Sequence, residues 1–129
     1  VYPGVHSGIL DKILDLKPDG IVLISYGSGN LPTNSDGLFT KFLFTALERD
    51  IIVLIAAQAT YGNCWISQYK LGKGFSERGT ITSKDMTYEC SIVKLKWVLG
   101  QAKTYKEAKK ILHTPIAGEI KDEILETIF

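Results

Sequence analysis

With 129 residues, 45% of them hydrophobic, the chain has enough apolar material for one globular domain with a sizeable core. A net charge of +1, with Lys and Glu scattered and not blocked, leaves no electrostatic footprint for nucleic acid or an anionic membrane. No apolar run approaches the roughly 20 residues of a membrane-spanning helix, and the opening VYPGVHSG lacks the basic and apolar regions of a secretory signal.

The first residue is Val1 and not methionine, so the expectation is a single domain, residues 1–129, cut from inside a longer protein. Cys64 and Cys90 show neither metal-like spacing nor a neighbouring histidine, which reads as free thiols in a cytoplasmic protein. Val1 and Tyr2, before Pro3-Gly4, are a loop or the stub of a first strand. Ser7 is placed to cap a helix to about Leu16, with Ile9, Leu10, Ile13, Leu14 and Leu16 as its apolar stripe. Lys17-Pro18-Asp19-Gly20 stops it. The uncharged run Ile21 to Tyr26 reads as a strand buried on both faces, of the parallel-sheet type. A glycine turn and the polar stretch Pro32-Thr33-Asn34-Ser35 follow. A second helix is predicted from Asp36 to Arg49, because Leu38, Phe39, Phe42, Leu43 and Leu47 recur at helical spacing. Ile51 to Ala57 is another buried strand, ending in a loop through Gln58, Tyr61, Gly62 and Cys64. Strand, helix and strand joined by short turns make a right-handed parallel crossover.

From Ser67 to Gly79 three glycines limit the pattern to a short helix with a glycine stop. Thr80 to Thr82 is a short third or edge strand. Thr87 caps a helix to Leu99, with Ile92, Leu95 and Leu99 on one face and Val93 and Trp97 widening it. Thr104 begins another helix, and Ile116 to Phe129 reads as a last amphipathic one. The fold class is α/β: a small, open, mostly parallel sheet with helices on both faces, flavodoxin-like.

The chemistry concentrates where the first strand ends. Gly27-Ser28-Gly29 supports a tight turn at a strand's carboxyl end, the edge where ligands bind in open α/β sheets. A phosphate cradle is a poor match, since the third glycine of a dinucleotide fingerprint and the GxxxxGK[ST] loop are both missing. Asn30 follows the turn. Its amide either satisfies loop backbone, as turn asparagines do, or offers donors and an acceptor to a ligand. His6 and His113 stand beside no nucleophile elbow, and Ser28 lacks the elbow's spacing. Asp85 and Glu89, four apart at a helix start, read as capping and dipole residues. The residue types show no catalytic machinery and no metal ligands in this chain.

The segments VYPG (Val1 to Gly4), SYGSGN followed by Pro32, Gln58 with Gly62, YKLG (Tyr69 to Gly72), DMTYE (Asp85 to Glu89) and KLKWVLG (Lys94 to Gly100) occur in an order and spacing that resembles the C-terminal domain of cytoplasmic, type I bacterial L-asparaginases. The resemblance extends to about Glu119. It implies a parent that hydrolyses asparagine to aspartate and ammonia with a threonine nucleophile and no metal or organic cofactor. It also implies a larger N-terminal catalytic domain, whose TGGT-like and HGTDT-like segments are missing from this sequence, and a homo-oligomer. In such an assembly the SYGSGN-type loop reaches the substrate bound by a neighbouring subunit. By resemblance that role falls on Asn30, held by Gly27 and Gly29, and the isolated chain is expected to be inactive. Some type I enzymes bind asparagine as an activator through Arg, Thr and Cys at positions that correspond to Ile24, Ala57 and Ala59 here. Apolar side chains cannot hold those charges, so a degenerate effector site is expected. Two other readings keep the fold: the asparaginase-like subunit of a tRNA-dependent amidotransferase, and a non-enzymatic ligand-sensing or interaction domain.

Overall fold

The computed structural model describes residues 1–2, 4–32, 37–66 and 70–121, with the backbone alone for 70–72. The elements run α1 (Ser7–Asp15), β1 (Gly20–Ile24), α2 (Leu38–Glu48), β2 (Ile52–Ala56), α3 (Lys70–Arg78), β3 (Ile81–Thr82), α4 (Tyr88–Leu99) and α5 (Tyr105–Leu112). The three strands form one parallel sheet in the order β1-β2-β3, with Gly20 opposite Ile52 and Leu54 opposite Ile81. Parallel neighbours cannot be joined by a hairpin, and α2 and α3 supply the two crossovers. No helix among the described residues is long and apolar enough to cross a membrane.

Side chains alternate across a strand, so the sheet builds two cores. Leu23, Val53 and Ile55 meet Leu10, Leu14, Phe39, Phe42, Leu43 and Phe75 from α1, α2 and α3. Ile52, Leu54 and Ile81 meet Leu95, Val98, Ala108 and Leu112 from α4 and α5. Helices thus cover both faces. β2 is central, and every one of its residues is buried; truncating Leu54 to Ala there costs about 2–5 kcal/mol. Gly20 lets α4 approach β1, because a Cβ on it would stand 3.0 Å from Leu99 Cδ1 and 3.2 Å from Leu95 Cδ2.

Several boundaries differ from the sequence reading, each for a physical reason. β1 has a neighbour on one side only, so Leu23 alone of its residues is buried and the rest are half-buried. It also ends at Ile24, since Tyr26 has turned to bridge Asn30. Val1 and Tyr2 form no strand; the Val1 nitrogen donates to Ile24 O at 2.7 Å. The cap of α1 is His6 and not Ser7: its Nδ1 accepts from Gly8 N at 3.1 Å. α2 begins at Leu38 after Gly37, whose φ is +60°; Thr33 to Asp36 lie outside the described residues. Ser67 to Tyr69 do too, and α3 closes on Gly79, at φ +117°.

In α4 the buried stripe is Ser91, Lys94, Leu95 and Val98, a helical spacing hidden in the sequence by its two polar members. Ile92, Val93 and Trp97 point outward instead. The predicted last helix does not form over 116–121, which bends back across the molecule. Residues 122–129 of that prediction lie outside the described residues.

Candidate functional site

The glycine turn sits at the carboxyl end of β1 and is closed by its own backbone. Tyr26 N donates to Asn30 O at 2.8 Å and Asn30 N returns to Tyr26 O at 3.0 Å. Such a narrow loop needs left-handed residues, and Gly27 (φ +48°) and Gly29 (φ +124°) supply them. Asn30 comes out half-buried at the carboxyl rim of the sheet. Its backbone closes the turn, while its side-chain amide makes no hydrogen bond among the described residues. Among the described residues, then, nothing takes up the amide's two donors or its acceptor.

The loops after all three strands lock together beneath this turn. Gly27 O accepts from Gln58 N at 2.9 Å and Ala59 N at 3.1 Å, and Ser28 O accepts from Trp65 N at 2.6 Å. Gly29 is pressed against the same segment: an added Cβ would lie 3.0 Å from Ile66 N, 3.2 Å from Trp65 N and 3.3 Å from Cys64 Sγ. Cys64 N in turn donates to Lys84 O at 2.8 Å. One small polar side chain from each loop is buried in the joint. Ser25 Oγ donates to Ala56 O at 2.8 Å, Cys64 Sγ to Ile55 O at 3.3 Å, and Ser83 is fully buried beside them. Burial pushes the Cys64 thiol up to about 11, so it is an inert structural thiol and no nucleophile. Both cysteines are free.

The other candidates are not brought into this arrangement as a catalytic set. His6 caps α1, and His113 caps α5 with Nε2 3.0 Å from Thr82 O. Burial holds His113 below its ordinary pKa. The Asp85 carboxylate accepts from Lys121 N, whereas Glu89 lies in the first turn of α4. Ile24 is half-buried at the end of β1, opposite Ala56; Ala57 is buried and Ala59 exposed. The sequence reading missed the packing of 64–66 against Gly29. The signal for it is faint: a residue whose partner demands glycine looks like any turn glycine until the partner is known.

Clefts lined by described residues lie along the opposite, amino rim. One of about 470 Å³ is bordered by Asp19, Asp50, Arg78, Lys103 and Tyr105, and another of about 580 Å³ by Asp15, Lys17, Arg49 and Asp50. Neither touches the glycine turn.

Residues 1–112 match the family described as the Glutaminase/Asparaginase C-terminal domain. The chain belongs to that family. This asparaginase C-terminal domain is 36% identical over 118 residues to an L-asparaginase of Thermococcus kodakarensis, covering 92% of this chain and 35% of that protein. It is 34% identical over 120 residues to a glutamyl-tRNA(Gln) amidotransferase subunit from Pyrococcus abyssi, covering 93% of this chain and 26% of that one. Among solved structures, L-asparaginase I from Vibrio cholerae superposes with a TM-score of 0.80 at 29% identity, over 95% of this chain and 36% of that one. The thermostable L-asparaginase from Thermococcus kodakarensis gives 0.79 at 34% identity, over 95% and 36%. The chain thus spans about a third or less of the relatives it matches.

Proposed function

We propose that this asparaginase C-terminal domain belongs to an L-asparaginase and completes the active site of a neighbouring subunit through Asn30. The observation that carries the reading is the Asn30 side-chain amide, without a hydrogen-bond partner among the described residues, at the carboxyl rim of a domain of this family. An amino-acid substrate presents an ammonium and a carboxylate, and one amide can accept from the first and donate to the second. Gly27 and Gly29 act by holding the turn. The nucleophile and its activating groups belong to the N-terminal catalytic domain of the parent, so this chain does not turn over asparagine alone. Adding asparagine to the purified chain and measuring ammonia tests this: the full-length protein releases it, and release by the 129-residue chain at enzymatic rates would overturn the reading.

A second reading, the asparaginase-like subunit of a tRNA-dependent amidotransferase, is favoured by the 34% identity to the Pyrococcus abyssi amidotransferase protein. An extra β-rich module upstream in the gene would select it. Under the asparaginase reading Ile24, Ala57 and Ala59 mark a degenerate effector site. Charged groups of an activating amino acid would be left unpaired there, at a cost of several kcal/mol by order of magnitude. Full-length enzyme should then follow hyperbolic kinetics. Asparagine-driven sigmoidal kinetics, abolished by changes at these positions, would contradict that part.

A further inference from the structure

Residues 113–121 run as a strap from the end of α5 to the loop after β3. Its middle is held by α4. Lys94 is almost fully buried, and its ammonium donates to Thr114 O at 2.7 Å and to Glu119 Oε1 at 2.5 Å. Glu119 also organises the strap itself, accepting from Ala117 N at 2.7 Å and from Ile116 N at 3.1 Å. Ile120 is buried next to it, and Lys121 N then donates to both oxygens of Asp85 at 3.2 Å.

From Asp85 the contacts continue inward without a gap. The adjacent residue, Lys84, accepts Cys64 N on its carbonyl; Trp65 N bonds Ser28 O; and Cys64 to Ile66 press on Gly29. Asn30 follows directly. The strap is therefore linked to the asparagine-bearing turn through two loops: the Asp85 carboxylate joins the strap to the first, and backbone hydrogen bonds, which leave little freedom to slip, join the first loop to the second and the second to the turn. We infer that Glu119 and Asp85 are positioning residues for the Asn30 turn: Glu119 seats the strap on α4, Asp85 fastens it to the loop after β3, and that loop holds 64–66 against Gly29. The functional meaning rests on reading Asn30 as a substrate contact; the mechanical coupling does not. The plainer alternative is that Glu119 only neutralises a buried lysine.

Amide hydrogen exchange on the whole 129-residue chain separates the two. The probes are Cys64, Trp65, Tyr26 and Asn30, all of whose backbone N–H groups donate in the joint; Phe42 and Leu43 in α2 serve as reference. Asp85→Ala leaves no buried charge unpaired and should speed exchange at the four probes by about tenfold or more while leaving α2 unchanged, as a local opening does. Glu119→Ala should do the same, with Glu119→Gln restoring part of the protection, because Gln keeps an acceptor. Unchanged probes in Asp85→Ala, or an equal acceleration at every amide, would overturn the inference. In the full-length protein Asp85→Ala should raise KM for asparagine more than it lowers kcat. A wild-type full-length protein without asparaginase activity would sink the functional reading but leave the exchange result standing.

Discussion

The two rims of the sheet are built oppositely. At the carboxyl rim the loops after β1, β2 and β3 are joined by hydrogen bonds, and the buried side chains of Ser25 and Cys64 both find backbone acceptors. At the amino rim the surface opens into charged clefts, and Thr80 keeps a buried hydroxyl with no partner among the described residues. Among the described residues, concavity alone points to the amino rim. At the rim that carries Asn30, hydrogen bonds between successive loops hold the backbone, as a group presented to a ligand would require. On the proposed reading Asn30 is half of a site, and the pocket it helps to form needs a second surface.

Gly29 gives the sharpest way to break this contrast. Gly29→Ala combines a φ that L residues avoid with overlap onto the backbone of 64–66, and should lose ~3 kcal/mol in urea unfolding. Gly27→Ala, with open space around it, should lose only ~1 kcal/mol. Equal losses would mean that 64–66 does not bear on the turn. Next in size is thiol chemistry. Cys64, pushed from an ordinary 9.0 to about 11 by burial, should be alkylated in the native protein at least about a hundredfold more slowly than in unfolding conditions. Mass spectrometry that finds Cys64 modified as fast as Cys90 would show the rim to be open.

Acid probes the strap. Burial by itself raises the Glu119 carboxyl, but the Lys94 ammonium and the backbone N–H groups of Ala117, Glu119 and Ile116 outweigh it and hold it at about 2, against an ordinary 4.5. The unfolded chain then binds the extra proton, so this contribution is complete above about pH 4.5 and is lost as the pH falls toward 2. Glu119→Gln should flatten the acid limb of stability against pH; an unchanged limb would exclude the pair as its source. The smallest effects lie in the buried hydroxyls. Ser25→Ala should cost ~1 kcal/mol, whereas Thr80→Val should be neutral or stabilising by up to ~1 kcal/mol, since it removes an unsatisfied group.

Much of this architecture was legible in the sequence because it is local. The apolar run of β2, the spacing of Phe39, Phe42 and Leu43, and the caps Thr87 and Thr104 state their own conformations. The position of the glycine turn followed from Gly27 and Gly29, and the family from motifs spread along the chain. What stayed hidden depends on distant partners. Lys94 looks solvent-facing until Glu119 is placed beside it, 25 residues later in the chain. Ile21 to Tyr26 looks like an interior strand until the sheet is seen to stop at β1. Gly29 looks interchangeable with Gly27 until 64–66 is packed against it.

Mixing subunits tests the role of Asn30 most directly. In the proposed asparaginase dimer, full-length protein bearing Asn30→Ala and full-length protein lacking the threonine nucleophile expected in the N-terminal domain should each be nearly inactive on asparagine. Dissociated and reassembled together, they should recover about a quarter of wild-type activity, since half of the random dimers pair one intact nucleophile with one intact Asn30 across the interface. Full activity of Asn30→Ala alone, or no recovery on mixing, would contradict a turn that finishes its neighbour's site.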